Sequence, residues 1–137
     1  NHENYDDMST LRVDRIAHIT VLSERRKPLR EIKGYHQQRT FNVSQYVKEH
    51  IYMFGGESVT VSFKAKRSIV NQILDWFDGN VEFTSVTADD VVCRVRVNHD
   101  AFKYWALQYM QSVKVLSPAS LVAEVKEAIK EGLEQYS

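Results

Sequence analysis

Two arginines stand close together in Leu11-Arg12-Val13-Asp14-Arg15-Ile16. Arginine carries a planar fork of donors that matches phosphate or carboxylate, so Arg12 and Arg15 on a strand could grip a phosphate in a cleft. Local pairing with Asp14 explains the same residues equally well. A second set of cations lies further on. Val59, Val61, Phe63 and Ala65 alternate with Thr60, Ser62, Lys64 and Lys66, while Val91, Cys93 and Val95 alternate with Val92, Arg94 and Arg96. If these two strands are neighbours, Lys64, Lys66, Arg94 and Arg96 share one face that could hold phosphates or an acidic partner surface. The plainer reading is a solvated face balanced by Glu57, Glu82 and Asp90, and it is the favoured one. The outward positions carry no Phe, Tyr or Trp, so bases would find nothing to stack on. A third basic run, Arg25, Arg26, Lys27 and Arg30, reads as a solvated linker.

Signals for catalysis are weak. His2, His18, His36, His50 and His99 are scattered without metal-ligand spacing. Cys93 falls among the inward positions of its strand, which marks a buried, inert thiol rather than a nucleophile. Gly55-Gly56 lacks the lysine and the helix of a phosphate-cradling loop. Trp76, Trp105 and Tyr109 have helical core spacing. The expectation is no catalytic residue, no metal ligand and no cofactor.

The elements that must position these residues follow from periodicity. Leu11, Val13, Ala17, Ile19 and Val21 fall on one face of a strand over 10–22, with Arg15 and Ile16 breaking the pattern. Such a strand needs sheet partners, and too little chain precedes it to supply them. The sequence thus reads as the tail of one domain followed by the whole of another: residues 1–30, a connector at 31–56, and a domain at 57–137. In the connector Asn42 and Gln45 have capping-box spacing, Phe41 and Tyr46 have staple spacing, and Val43, Val47 and Ile51 form a stripe. Beyond residue 57 come a strand, a helix capped by Ser68 with Ile69, Ile73, Leu74 and Phe77 inward, and strands near 81–87 and 91–97. A helix at 99–111 follows, striped by Phe102, Trp105, Ala106, Tyr109 and Met110. A last strand spans 113–116. Ser117 caps the final helix with Pro118 at its first position, and that helix is striped by Leu121, Val122, Val125, Ile129 and Leu133. The order βαββαβ predicts an α+β, ferredoxin-like antiparallel sheet with two helices on one face, plus an extra C-terminal helix.

Composition sets the bounds. The 137 residues suffice for one domain with an appendage, and 43% are apolar. Lys+Arg and Asp+Glu both number 18, which argues against a general polyanion binder while leaving room for a local patch. One cysteine excludes an internal disulfide and suits a reducing, cytoplasmic setting. No apolar run is long enough to cross a bilayer.

The stretch Arg12-Val13-Asp14-Arg15-Ile16 resembles the strand that closes WYL domains. The helix near Asn42 to Ile51, then Phe54-Gly55-Gly56-Glu57, then a βαββαβ unit ending in Val115-Leu116-Ser117-Pro118 and a charged helix, resemble the C-terminal extension (WCX) of those proteins. The likeness covers essentially the whole chain. It implies the last strand of a truncated Sm-like WYL barrel followed by a WCX domain. The parent would be a bacterial helix-turn-helix transcription regulator. It also implies an unidentified effector, nucleic acid or small molecule, met by Arg12 and Arg15, and a homodimer that touches DNA only through an upstream domain. The Trp-Tyr-Leu motif that names the family is absent here. Two other classes share the βαββαβ order: a stand-alone small-molecule sensor of ACT type, and an enzyme such as an acylphosphatase. For the enzyme, the expected arginine–asparagine pair beside a phosphate loop is missing.

Overall fold

Strict alternation in the first half of the domain produces a half-buried strand, β1 (Ser58–Lys66), which buries Val61, Phe63 and Ala65 and turns Lys64 and Lys66 outward. The computed structural model describes residues 11–26, 28, 31 and 42–137. A short helix, α1 (Val43–Glu49), precedes β1. After it come α2 (Val70–Phe77), β2 (Val81–Val86), β3 (Asp90–Asn98), α3 (His99–Gln108), β4 (Val113–Ser117) and α4 (Ala119–Glu134). The sheet is antiparallel, in the order β2-β3-β1-β4, as the ferredoxin-like arrangement requires. Phe63 lies opposite Cys93 on one side and Val115 on the other.

One face of this sheet carries the core. Ile73 and Phe77 of α2, Ala101, Phe102, Trp105 and Ala106 of α3, and Leu121 and Val125 of α4 join the inward strand residues in a single buried cluster. Trp105 is its hub, with ring centroids 4.9 Å from Phe77 and 5.4 Å from both Phe63 and Phe102. Truncating such a ring to alanine costs on the order of 3–5 kcal/mol.

Several local expectations shift. Residues 11–26 form no strand: a single 3-10 turn, Val13–Arg15, interrupts an exposed segment. The physical reason is pairing, because no described strand lies alongside to satisfy its backbone. Ser68 does not cap α2. It sits inside a 3-10 turn, Arg67–Ile69. The turn is tied to the β2–β3 hairpin by Arg67, whose backbone N–H donates to Asp89 O at 2.8 Å and whose guanidinium donates to Thr87 O at 3.2 Å. Pro118, not Ser117, occupies the cap position of α4, after a cis Ser117–Pro118 peptide. On α4, Ile129 and Leu133 are exposed. A helix of 16 residues reaches about 24 Å and outruns the short β4 beneath it.

The connector departs most. Asn42 caps α1 as expected, accepting from Gln45 N at 3.0 Å, while Phe41 lies outside the described residues. The apolar stripe fails: Val43 and Val47 are exposed, and Ile51 alone of the three is buried. Glu49 is the buried residue of α1, because the helix lies against β3 and turns its polar side toward Arg96.

Asn98 joins this connector to the domain. It is 1% exposed. Its Oδ1 caps α3 by accepting from Ala101 N at 3.0 Å, and its Nδ2 donates to Gly55 O at 2.9 Å and Glu57 O at 3.4 Å. Asn98→Ala is expected to lose about 1 kcal/mol of capping and a further 1–3 kcal/mol, roughly, for the carbonyls left unpaired. Asn98→Asp restores the cap acceptor but aims a carboxylate at two carbonyls, so it recovers little. Urea denaturation midpoints check the order: wild type above Asp, Asp at or above Ala. An aspartate variant as stable as wild type would mean that the bonds to Gly55 and Glu57 contribute nothing.

Candidate functional site

Antiparallel pairing of β1 with β3 sets Ser62 opposite Arg94 and Thr60 opposite Arg96, and Lys64 lies between Val92 on β3 and Lys114 on β4. The structure therefore brings Lys64, Lys66, Arg94 and Arg96 onto the face opposite the core, where α1 meets only the Arg96 end, and adds Lys114. Three of these cations are answered by carboxylates. Lys64 pairs with Asp90, Arg94 with Glu82 at 3.9 Å, and Arg96 with Glu49 at 3.5 Å. Lys66 and Lys114 make no ion pair among the described residues. The Arg94–Glu82 pair, exposed on both sides, contributes on the order of 0–1 kcal/mol, whereas Arg96 meets a buried carboxylate. The face is thus a shallow, partly neutralised basic surface without aromatic platforms. The sequence reading left out Lys114, although its signal was present: Val113 and Val115 alternate with it, and the βαββαβ order sets β4 beside β1.

Arg12 and Arg15 are placed elsewhere, with no hydrogen bond or ion pair to that face among the described residues. Arg12 chelates Asp14 through both Nε and a terminal nitrogen, with Nε–Oδ1 at 3.0 Å. The pairing raises the arginine's pKa and lowers that of the aspartate. This is the local alternative. Arg15 sits in the same exposed turn and shares no ion pair with Asp14.

Two constellations emerge only from packing. His99, at the start of α3, sets Nδ1 3.2 Å from Asp100 and Nε2 3.4 Å from Glu124 on α4; Lys103 reaches the same Glu124 at 3.3 Å. These three potential ligands lie close enough for a cation, but the Lys103 ammonium already serves the shared carboxylate. The second is a cavity of about 580 Å³ lined by Tyr52, Tyr104, Leu107 and Gln108. Tyr52 and Met53 both take left-handed backbone angles, φ 57° and 61°. That bend lays the Tyr52 ring 4.5 Å from Trp76 and edge-on to Tyr104 at 5.2 Å. The Tyr52 hydroxyl donates to Gln108 Oε1 at 2.6 Å. Burial first, then the neighbouring Tyr109 and Tyr104, holds the Tyr52 phenol above its ordinary pKa.

The family model of the WCX domain matches residues 55–133, more than half of the chain. This chain belongs to the WCX domain family. No curated protein matches it. The WCX match runs from Gly55 into α4, so it takes in the whole sheet, its basic face and the α3 side of the cavity, and it supports a region associated with WYL domains.

Within the WCX domain Cys93 is fully buried, and burial pushes its thiol up to about 11. A thiol-reactive disulfide reagent at pH 8 should therefore leave the folded protein unmodified and react only as urea unfolds it; rapid reaction of native protein would contradict the burial. The linked sign is that folding keeps the proton longer than the unfolded chain does. Stability from this group is present below the ordinary thiol pKa of 9 and falls as pH rises toward 11.

Proposed function

We propose that this chain is the regulatory C-terminal portion of a bacterial WYL-type helix-turn-helix regulator, in which it senses an effector and dimerises and catalyses no reaction. The observation that carries this reading is the WCX match over residues 55–133, preceded in the same chain by Arg12-Val13-Asp14-Arg15-Ile16. On this reading residues 1–30 belong to the WYL side and 31–56 connect. Arg12 and Arg15 would meet an effector only by exchanging Asp14 for it, which suits an anionic group. The protein would act in the cytoplasm and reach DNA through an upstream domain.

The geometry favours a dimer built on the βαββαβ unit. β2 is an edge strand, and Phe83 and Val86, although opposite the buried Cys93 and Val91, are 36% and 58% exposed. An open edge with uncovered apolar residues is a ready surface for another strand, and closed two-fold pairs are the commonest assemblies. Sedimentation equilibrium of the full chain should show a dimer that survives deletion of residues 1–30 and is weakened by Phe83→Asp. A monomer at every concentration would overturn dimerisation, and loss on the deletion would move the interface to the N-terminal segment.

Duplex DNA gives the complementary test. With balanced charge and with Arg94 and Arg96 paired to carboxylates, the chain alone should bind duplex no more tightly than about micromolar at physiological salt, without sequence preference. Fluorescence anisotropy with unrelated duplexes checks this, and tight selective binding would contradict the assignment of DNA reading to another domain.

A further inference from the structure

We infer that the cavity between the Tyr52 turn and α3 is a binding site for a neutral, planar heteroaromatic molecule of one or two rings, with a ring acceptor held by the Gln108 amide. This names a site for the effector and rests on the regulatory reading only for its biological role; binding itself stands or falls separately.

The argument begins with the backbone. Tyr52 and Met53 are consecutive left-handed residues, and neither is glycine or asparagine. Each such conformation costs on the order of 1–2 kcal/mol, so the surrounding contacts must hold it. The Tyr52 ring supplies them through Trp76, Tyr104 and the hydroxyl bond to Gln108. The bend thereby makes one wall of the cavity, and α3 makes the other with Tyr104, Leu107 and Gln108.

The lining then selects the ligand. The volume is about 580 Å³, but it opens to solvent along the exposed Tyr104 and Gln108, so it suits a small flat ring laid against the wall and not an enclosed ligand. Two phenol rings and a leucine offer faces for stacking and apolar contact, and flat aromatic ligands use such faces best. Among the described residues no charged side chain lines the cavity, so nothing there would offset the desolvation of an anion or cation. This disfavours nucleotides and amino-acid zwitterions against uncharged heterocycles that carry a ring acceptor. Polarity is set by one bond. Gln108 Oε1 already accepts from Tyr52, which turns the amide's Nε2 donors toward a ligand; no partner of that nitrogen is present among the described residues. A ring nitrogen or carbonyl with a lone pair in the ligand plane fits that donor.

The site also joins two bodies of the fold. Tyr52 belongs to the connector that follows α1, and the other lining residues belong to α3. A ligand wedged between them would bias how the connector sits on the domain, which is the place where an effector could alter the relation of the WCX domain to what precedes it.

The test uses the full chain, with adenine, hypoxanthine and quinoline as probes and AMP as the charged comparison. Tryptophan fluorescence reports directly, because Trp76 lies 4.5 Å from the Tyr52 ring. The expected result is a saturable change with one site per chain for at least one neutral probe, and binding at least about tenfold weaker for AMP, a difference of about 1.4 kcal/mol. Gln108→Leu and Tyr104→Ala should each weaken binding about tenfold or more while leaving the far-UV circular dichroism unchanged, since both side chains are exposed. No saturable change with any neutral probe up to roughly 10 mM, a concentration equivalent to under 3 kcal/mol of binding energy, would overturn the site. So would unchanged binding in both variants, or tighter binding of AMP. Binding that leaves the dimer equilibrium unmoved would confirm the site and count against the regulatory reading instead.

Discussion

The end of β3 is where the structure is tied together, and one buried amide does the tying. Asn98 closes a strand, opens a helix and captures two carbonyls of the segment entering β1. A buried polar side chain is tolerated only when its hydrogen-bonding capacity is used, and Asn98 uses both ends of its amide. Because the same residue holds the start of β1 and the start of α3, the register of the central strand pair and the placement of Trp105 are linked. Shifting one would break the bonds that define the other. The Tyr52 turn lies just beyond this clamp, so the left-handed residues that build the cavity wall are held between fixed Gly55 and fixed α1.

Where a segment's fate was decided by its own periodicity, the sequence was sufficient. Alternation in 58–66 and 90–98 and the stripe Phe102, Trp105, Ala106 all reappear as the buried face, because a period of two or of 3.6 leaves only one way to hide the apolar side. The same logic failed for α1. Its Val43 and Val47 looked like a core stripe, yet the neighbouring surface is the outer end of β3 with Arg96, and a polar surface recruits Gln45 and Glu49 instead. Nothing local distinguishes a helix that will meet a core from one that will meet a charged sheet. The strand expected over 10–22 failed, in its described residues 11–22, for a related reason: alternation describes a strand's faces but not whether another strand will pair with its edges.

Site residues divide along the same line. Those on the sheet were legible, since outward positions follow directly from inward ones, and Lys114 could have been added by the same rule. The cavity was not. Tyr104 and Gln108 share one face of α3, but Tyr52 lies in a distant segment, and its meeting them depends on two backbone conformations that neither tyrosine nor methionine advertises. Glu124 joins His99 only because α4 packs on α3.

The two faces of the sheet therefore have different capacities. On the outer face Lys64 stands directly opposite Lys114, a like-charged cross-strand pair that is mildly unfavourable by itself. Asp90 relieves it from the hairpin side, and Glu82 and Glu49 quench the two arginines. What remains is a diffuse positive field, useful for orienting an acidic surface and sensitive to salt, but without the depth or the stacking platforms that would select one ligand. Across the sheet, beyond the core, the Tyr52 cavity has the opposite character: little field, aromatic walls and one oriented donor. Selection of a small molecule needs shape and an oriented polar group more than it needs charge, which is why the proposed ligand site is assigned to the uncharged surface and not to the sheet face.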